Sequence, residues 1–295
     1  MPTMQHQQEA DLYPSRVKDR PEILPRLDPV VYGDADAAGP LTKEQLEQYN
    51  ERGFLAFEGF LPETVVQACR TELDRLRESA EIKSREEAIV EPDSDELRSL
   101  FAVHSIVPFF EQMSTDERLV SIARQVLGSD VYIHQSRINL KPGFRGREFY
   151  WHSDFETWHV EDGMPRMRAV SFSIAMTPNY PYNGPLMVIP GSQNKYIACV
   201  GETPADNYKK SLRRQYIGVP DNESLRMLAE EGGIEAPTGP AGSLVIFDCN
   251  TMHGSNGNIT PFPRSNVFLV YNSVENRLRD PYHGLPPRPG FIATR

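Results

Sequence analysis

The stretch Phe149-Tyr150-Trp151-His152-Ser153-Asp154-Phe155-Glu156-Thr157-Trp158-His159 sets two histidines and two carboxylates among a run of aromatics. At its centre, His152-x-Asp154 places an imidazole and a carboxylate two residues apart. On an extended backbone residues i and i+2 point to the same face, so both heads can converge on one point, as metal ligands must. Two ligands leave a metal under-coordinated. The reading of the whole chain therefore turns on whether a third is supplied.

The third candidate is His253, about a hundred residues further on. A strand pattern, Leu244-Val245-Ile246-Phe247-Asp248, leads through Cys249-Asn250-Thr251-Met252 to His253, and Gly254-Ser255-Asn256-Gly257 follows. A histidine at a strand end beside glycines reaches into a cavity without steric obstruction. His152, Asp154 and His253 then make a two-histidine, one-carboxylate set, which holds Fe(II) on one side and leaves positions open for a co-substrate and O₂. Zinc in a hydrolase uses the same residue types, so the ligands alone leave the metal open. Arg264 decides. It stands in a His253-x₁₀-Arg264 spacing and begins the strand pattern Ser265-Asn266-Val267-Phe268-Leu269-Val270-Tyr271. A fixed guanidinium near the metal is what the far carboxylate of 2-oxoglutarate requires when its other end chelates iron.

Composition narrows the field further. The chain has 295 residues, 39% of them apolar, and a net charge of −10 without a dense Lys/Arg cluster, which argues against a nucleic-acid partner. Cys69, Cys199 and Cys249 are far apart and form no CxxC pair, so they read as buried reduced thiols. Met1 to Asp11 is polar and lacks the apolar core of a secretory signal. No apolar run approaches the ~20 residues that span a bilayer. The expectation is a cytoplasmic protein without a membrane partner.

Taken in order, residues 1–40 read as an extended N-terminal arm, neither helix nor strand. Thr42-x-x-Gln45 is a capping box opening a helix that Gly53 ends. Val65, Val66, Cys69, Leu73 and Leu76 give a second helix one buried face. Residues 79–98 are charged and read as a surface loop. Ser114-x-x-Glu117 looks like a capping box for a third helix, with Gly128 at its end. Strand patterns follow at Val131 to Leu140, Ala169 to Thr177, Leu186 to Ile189, Ser243 to Asp248 and Asn266 to Ser273, separated by Pro/Gly/Asn turns. Strict alternation over the first of these sets Val131, Ile133, Gln135, Arg137 and Asn139 on one face, an odd mixture of aliphatic and polar groups. Residues 195–238 read as an insertion over a barrel mouth, with a helix from Ser224 to Glu231. The predicted fold is mainly β with flanking α-helices, a double-stranded β-helix (jelly-roll or cupin-type) core in one domain spanning 1–295.

These pieces resemble a known family. The trio, Leu41-Thr-Lys-Glu-Gln-Leu46 with Gly53-Phe54, and Asn183-Gly-Pro-Leu-Met-Val-Ile-Pro-Gly-Ser192 are similar to the phytanoyl-CoA dioxygenase-like superfamily of Fe(II)/2-oxoglutarate oxygenases. Phe149 to Pro165 resembles the signature segment of the ectoine hydroxylases within it, and Asp11-Leu-Tyr-Pro-Ser-Arg16 resembles their N-terminal arm. The resemblance implies Fe(II) on His152, Asp154 and His253, and 2-oxoglutarate held by Asn139, Phe149, Ser255 and Arg264. It implies ectoine held by Gln135, Thr157 and Trp158, with Phe268 as an aromatic wall and Arg288 as a partner for the ectoine carboxylate. It also implies O₂ as co-substrate, 5-hydroxyectoine as product in compatible-solute synthesis, and a homodimer. Chemically this is coherent: a delocalised amidinium suits the face of Trp158, and a carboxylate suits an arginine. Arg137 is left between a ligand role and a structural ion pair. His159, read on an extended segment, points away from Trp158 and is structural. The same chemistry on another small molecule, and a non-catalytic binding barrel, are the competing readings.

Overall fold

The computed structural model describes residues 10–34, 38–91, 94–204 and 217–295. Parts of the expected arm (1–9 and 35–37), of the charged loop (92 and 93) and of the expected insertion (205–216) lie outside the described residues.

Strands form where β-branched and aromatic residues recur between turn signals. In chain order they are β1 (Glu22–Pro25), β2 (Phe54–Phe57), β3 (Ala88–Val90), β4 (Leu97–Phe101), β5 (Val131–Lys141), β6 (Phe149–His152), β7 (Ala169–Ala175), β8 (Leu186–Val188), β9 (Lys195–Ala198), β10 (Leu244–Asp248), β11 (His253–Ser255) and β12 (Arg264–Ser273). Helices are α1 (Lys43–Arg52), α2 (Glu63–Glu78), α3 (Ala80–Lys83), α4 (Val103–Ile106), α5 (Pro108–Ser114), α6 (Glu117–Leu127), α7 (Asp154–Thr157) and α8 (Asn222–Gly232), with a π-helical turn at Trp158–Asp162. Seven strands make one antiparallel sheet in the order β2-β10-β7-β12-β5-β4-β3, a second sheet runs β6-β11-β8, and β1 pairs with β9. This is the jelly-roll type of core with flanking helices.

The large sheet buries one face against the helices. Val170, Phe172, Ile174, Ile246, Val267, Leu269 and Tyr271 pack there with Val66, Cys69 and Leu73 of α2 and Leu119, Ile122 and Val126 of α6. Helix boundaries follow the caps. Thr42 and Gln45 form the reciprocal capping box of α1, and Gly53 at φ 77° ends that helix. Gly128 at φ 60° ends α6 in the same way. The start of α6 differs from expectation: Ser114 belongs to α5, and Asp116 caps α6 by accepting from the Arg118 amide.

Three further expectations are corrected. Residues 79–98 are not simply a loop, for they hold α3, β3 and the start of β4 at the sheet edge. The arm contributes β1, which pairs with β9 from Glu22↔Ala198 to Pro25↔Lys195. And β5 does not alternate strictly. Val270 of β12 lies opposite Gln135 while Tyr271 lies opposite Ile133, so His134 is an extra, bulged residue. A one-residue insertion swaps the faces. Val131 and Ile133 therefore join Ile138 and Leu140 against the helical layer, whereas Gln135, Arg137, Asn139 and Lys141 share the opposite face. The odd mixture of aliphatic and polar groups is resolved by that bulge.

Candidate metal centre

The short sheet exists to bring two histidines side by side. His152 ends β6 and His253 begins β11, and the two are direct cross-strand partners. Ser153 remains extended (φ −101°, ψ 131°), so Asp154, the first residue of α7, turns back towards them. Asp154 Oδ1 lies 3.6 Å from His152 Nε2 and 3.8 Å from His253 Nε2. One donor atom from each residue falls within 4.8 Å of the others.

The local backbone fixes which nitrogen faces the centre. His152 Nδ1 is 2.7 Å from the Tyr150 carbonyl, and His253 Nδ1 is 3.0 Å from that of Thr251. In both cases the partner is two residues earlier, so Nδ1–H donates to the backbone and Nε2 keeps its lone pair for a metal. Burial, then the neighbouring His253, push the His152 imidazole down to about 4, so it is neutral at neutral pH, as a ligand must be. The Ser171 hydroxyl donates to Asp154 Oδ2 at 3.3 Å, leaving Oδ1 for the centre. Two imidazoles and a carboxylate on one side suit Fe(II) with open positions opposite.

Beside the trio lies a row of basic side chains on the bulge-selected face. In register, Lys141 pairs with Arg264, Asn139 with Asn266, and Arg137 with Phe268. Arg264 is 3% exposed, yet its Nε and Nη1 have no hydrogen-bond partner, and the Nε of Arg137 is likewise unpartnered. Burial pushes both guanidiniums down to about 10; Arg137 adds to the fall at Arg264, while Asp154 opposes it at Arg137. Burial together with Arg264 pushes Lys141 down to about 6. Its Nζ donates to Ser255 Oγ at 2.8 Å and to the Asn256 carbonyl. None of the three has a carboxylate partner in an ion pair among the described residues. Unpaired buried cations call for an anion. Orphaned donors on Arg264 fit the far carboxylate of a dicarboxylate that also reaches the metal.

The remaining expected residues distribute as follows. Asn139 is buried and its Oδ1 accepts from Ser99 Oγ at 3.1 Å. Phe149, Phe268 and Phe101 surround the Arg137 guanidinium, with ring centroids 5.7, 5.6 and 5.4 Å away. Gln135 Nε2 donates to the Ile292 carbonyl at 2.8 Å. Trp158 is buried and edge-on to His134, 4.9 Å between centroids. Thr157 Oγ1 lies 3.4 Å from Arg16 Nη2. Arg288 is committed elsewhere: Nε and Nη2 donate to the two oxygens of Asp162 at 2.7 and 2.6 Å. Those two donors serve the π-helical turn rather than an open carboxylate site.

One reading from sequence is corrected here, and one left open is narrowed. The segment after Ser153 is helical, not extended, so strand alternation does not place His159. It is structural for another reason: its Nδ1 faces the Met164 carbonyl, its Nε2 lies 2.8 Å from Asp11, and Tyr282 stacks on it at 4.0 Å. And Arg137 forms no structural ion pair among the described residues. Lys141 escaped notice altogether, although its register with Arg264 would have marked it once the strand pair was known.

A jelly roll carrying this trio beside an unpartnered arginine defines an Fe(II)/2-oxoglutarate-type oxygenase. The chain belongs to the family described as phytanoyl-CoA dioxygenase (PhyH), whose pattern its residues 49–266 match. It is 56% identical over 285 residues to the ectoine dioxygenase of Bordetella bronchiseptica, spanning 97% of this chain and 92% of that protein. It is 53% identical over 287 residues to the ectoine dioxygenase of Stutzerimonas stutzeri, spanning 97% and 95%. The crystal structure of EctD from S. alaskensis with 2-oxoglutarate and 5-hydroxyectoine superposes with a TM-score of 0.88 at 48% identity, covering 97% of this chain and 95% of that one.

Proposed function

We propose that this chain is an Fe(II)- and 2-oxoglutarate-dependent dioxygenase that hydroxylates ectoine to 5-hydroxyectoine, a step of compatible-solute synthesis. The observation that carries the chemistry is the pairing of the His152–Asp154–His253 trio with the orphaned, buried Arg264. The similarity to ectoine dioxygenases over 97% of the chain supports the substrate. With iron bound, the site couples consumption of O₂ and conversion of 2-oxoglutarate to succinate and CO₂ to insertion of one oxygen atom into a substrate C–H bond.

The chain's own residues do the rest. Arg264 takes the far carboxylate of 2-oxoglutarate, and Lys141, already holding Ser255, adds positive charge on the same side. Asn139 and Phe149 border that co-substrate. The Arg137 guanidinium, among Phe101, Phe149 and Phe268, offers the ectoine carboxylate a charge-assisted, aromatic-walled partner. We assign that role to Arg137 in preference to Arg288. Trp158 supplies a face for the amidinium, and Gln135 and Thr157 supply polar contacts. Together these groups hold the target C–H against the open metal positions and keep bulk water out.

The test is direct. Purified protein with Fe(II), O₂ and 2-oxoglutarate is given ectoine or proline, and products are read by mass spectrometry. A hydroxylated ectoine with stoichiometric succinate is the expected result; succinate without hydroxylated ectoine overturns the proposal. We also infer one domain over 1–295, with the arm and the 195–238 insertion beside the mouth, a cytoplasmic location and a homodimer. Buried unpaired Cys69, Cys199 and Cys249 support a reducing compartment, and no described helix is long and apolar enough to cross a membrane. Exposed Tyr182 and Phe262, gathered around half-buried Tyr180, support self-association, which sedimentation equilibrium tests.

A further inference from the structure

The substrate-side wall is tied to the N-terminal arm at several points, and a buried arginine stands at the centre of one of them. The Arg16 side chain is 2% exposed and reaches two carboxylates of the segment that follows the metal ligand Asp154. Its Nε and Nη2 donate to the two oxygens of Glu156 at 3.0 and 2.6 Å, and its Nη1 donates to Glu161 Oε1 and Thr203 Oγ1, each at 2.6 Å. Nη2 also lies 3.4 Å from Thr157 Oγ1. Ser15 adds a second link, its Oγ donating to Glu156 Oε1 at 2.6 Å while accepting from the Cys199 amide. Arg16 itself sits at φ 60°, a conformation that L residues rarely hold without surrounding support.

The spacing of the two carboxylates gives this clamp its meaning. Glu156 and Glu161 are five residues apart. In an α-helix of 3.6 residues per turn, five positions are separated by ~140° around the axis, and one guanidinium could not reach both. A π-turn closes i to i+5 and brings such residues over one another. The chain between them passes through the π-helical turn Trp158–Asp162. Both glutamates are buried, 1% and 3% exposed, and apart from Arg288, whose Nε lies 3.8 Å from Glu161 Oε2, Arg16 is the cation that meets them among the described residues. Gly218 closes the cluster from the other side: a Cβ there would stand 2.4 Å from Arg16 Nη2, 2.6 Å from Glu156 Oε2 and 3.0 Å from Thr157 Oγ1.

We infer that Arg16 is a positioning residue for the substrate: by bridging Glu156 and Glu161 it holds the π-turn that presents Thr157 and Trp158, without touching the metal or 2-oxoglutarate. This rests on the functional reading above, and the test separates the two. Arg16→Lys keeps one charge but cannot serve both carboxylates and the hydroxyls. It is expected to raise KM for ectoine about 10-fold, the cost of about one charge-assisted hydrogen bond, and to raise succinate release per hydroxyectoine formed. KM for 2-oxoglutarate and iron content stay within about twofold of wild type at this order of effect. Gly218→Ala, pressing on the same cluster, should show the same split. Near-ultraviolet circular dichroism supplies a substrate-independent reading, because Trp158 is one of two tryptophans and its signal should change in both variants. If the wild type makes no hydroxyectoine, the functional reading fails while the tryptophan signal still judges the clamp. An unchanged tryptophan signal, equal rises in both KM values, or loss of iron in Arg16→Lys overturns the proposal.

Discussion

The two faces of the β5–β12 pair are built from the same strands and bury opposite kinds of side chain. On one face Ile138, Leu140, Val267, Leu269 and Tyr271 pack against the helices. On the other, Arg137, Lys141, Arg264, Asn139 and Asn266 line the site. The first face removes apolar area from water and stabilises the fold. The second shields charge from water without pairing it and destabilises the fold until an anion arrives. Function and stability are thus divided by the pleat of a strand.

That contrast is open to experiment, starting with the largest effect. His152→Ala, on the site side, should cut turnover by at least ~10³-fold and strip iron from the purified protein while leaving the thermal midpoint little changed. Metal analysis beside calorimetry checks this, and retained iron with retained turnover would remove His152 from the centre. Arg264→Leu should raise KM for 2-oxoglutarate by ~100-fold and, without ligand, stabilise the protein by about 1–3 kcal/mol, because an unpaired buried charge is lost. A destabilised ligand-free variant would contradict the account of that face. Leu269→Ala, from a fully buried position on the opposite face, should cost about 3 kcal/mol of stability with both KM values unchanged. Altered KM values would show that the two faces are not separate.

The last effect concerns pH. Lys141 is pushed from its ordinary 10.5 down to about 6 in the folded protein. Between those values the unfolded chain holds the proton and the ligand-free fold does not, so ligand-free stability should rise as pH climbs from about 6 towards 10.5. A bound dianion favours the charged amine, so 2-oxoglutarate binding should take up a proton in that window. Calorimetry in buffers of different ionisation enthalpy measures the uptake, and Lys141→Met should abolish it. Uptake that persists in the variant would assign the proton elsewhere.

The sequence made some of this legible and hid the rest for physical reasons. The metal trio was readable because its residue types and spacing are chemically demanding, and α1, α2 and β10 because caps and periodicity are local signals. The edge strand β3 was missed because a short, partly exposed edge in a charged segment lacks an apolar period, and β4 because its pattern Leu97-Arg98-Ser99-Leu100-Phe101 does not alternate cleanly. The cationic row could not be assembled from spacing, since Lys141 meets Arg264 only through the register of β5 with β12. The π-helical turn was hidden because its support, Arg16, lies 140 residues before Glu156. Arg288 was named through the family resemblance, and spacing could not have shown that two of its donors also meet Asp162 of that same turn.

The bulge at His134 has a consequence for how the chain tolerates change. Substitutions there alter one side chain, but deletion of that residue would restore strict alternation along β5. The faces would be kept on both sides, because Ile133 and Gln135 already lie opposite the consecutive residues Tyr271 and Val270 of β12, whereas deletion of Ile138 would carry the residues between it and the bulge to the wrong face. A library of single-residue deletions should therefore find the β5–β12 pairing more tolerant of a loss at position 134 than at position 138, although both side chains are buried.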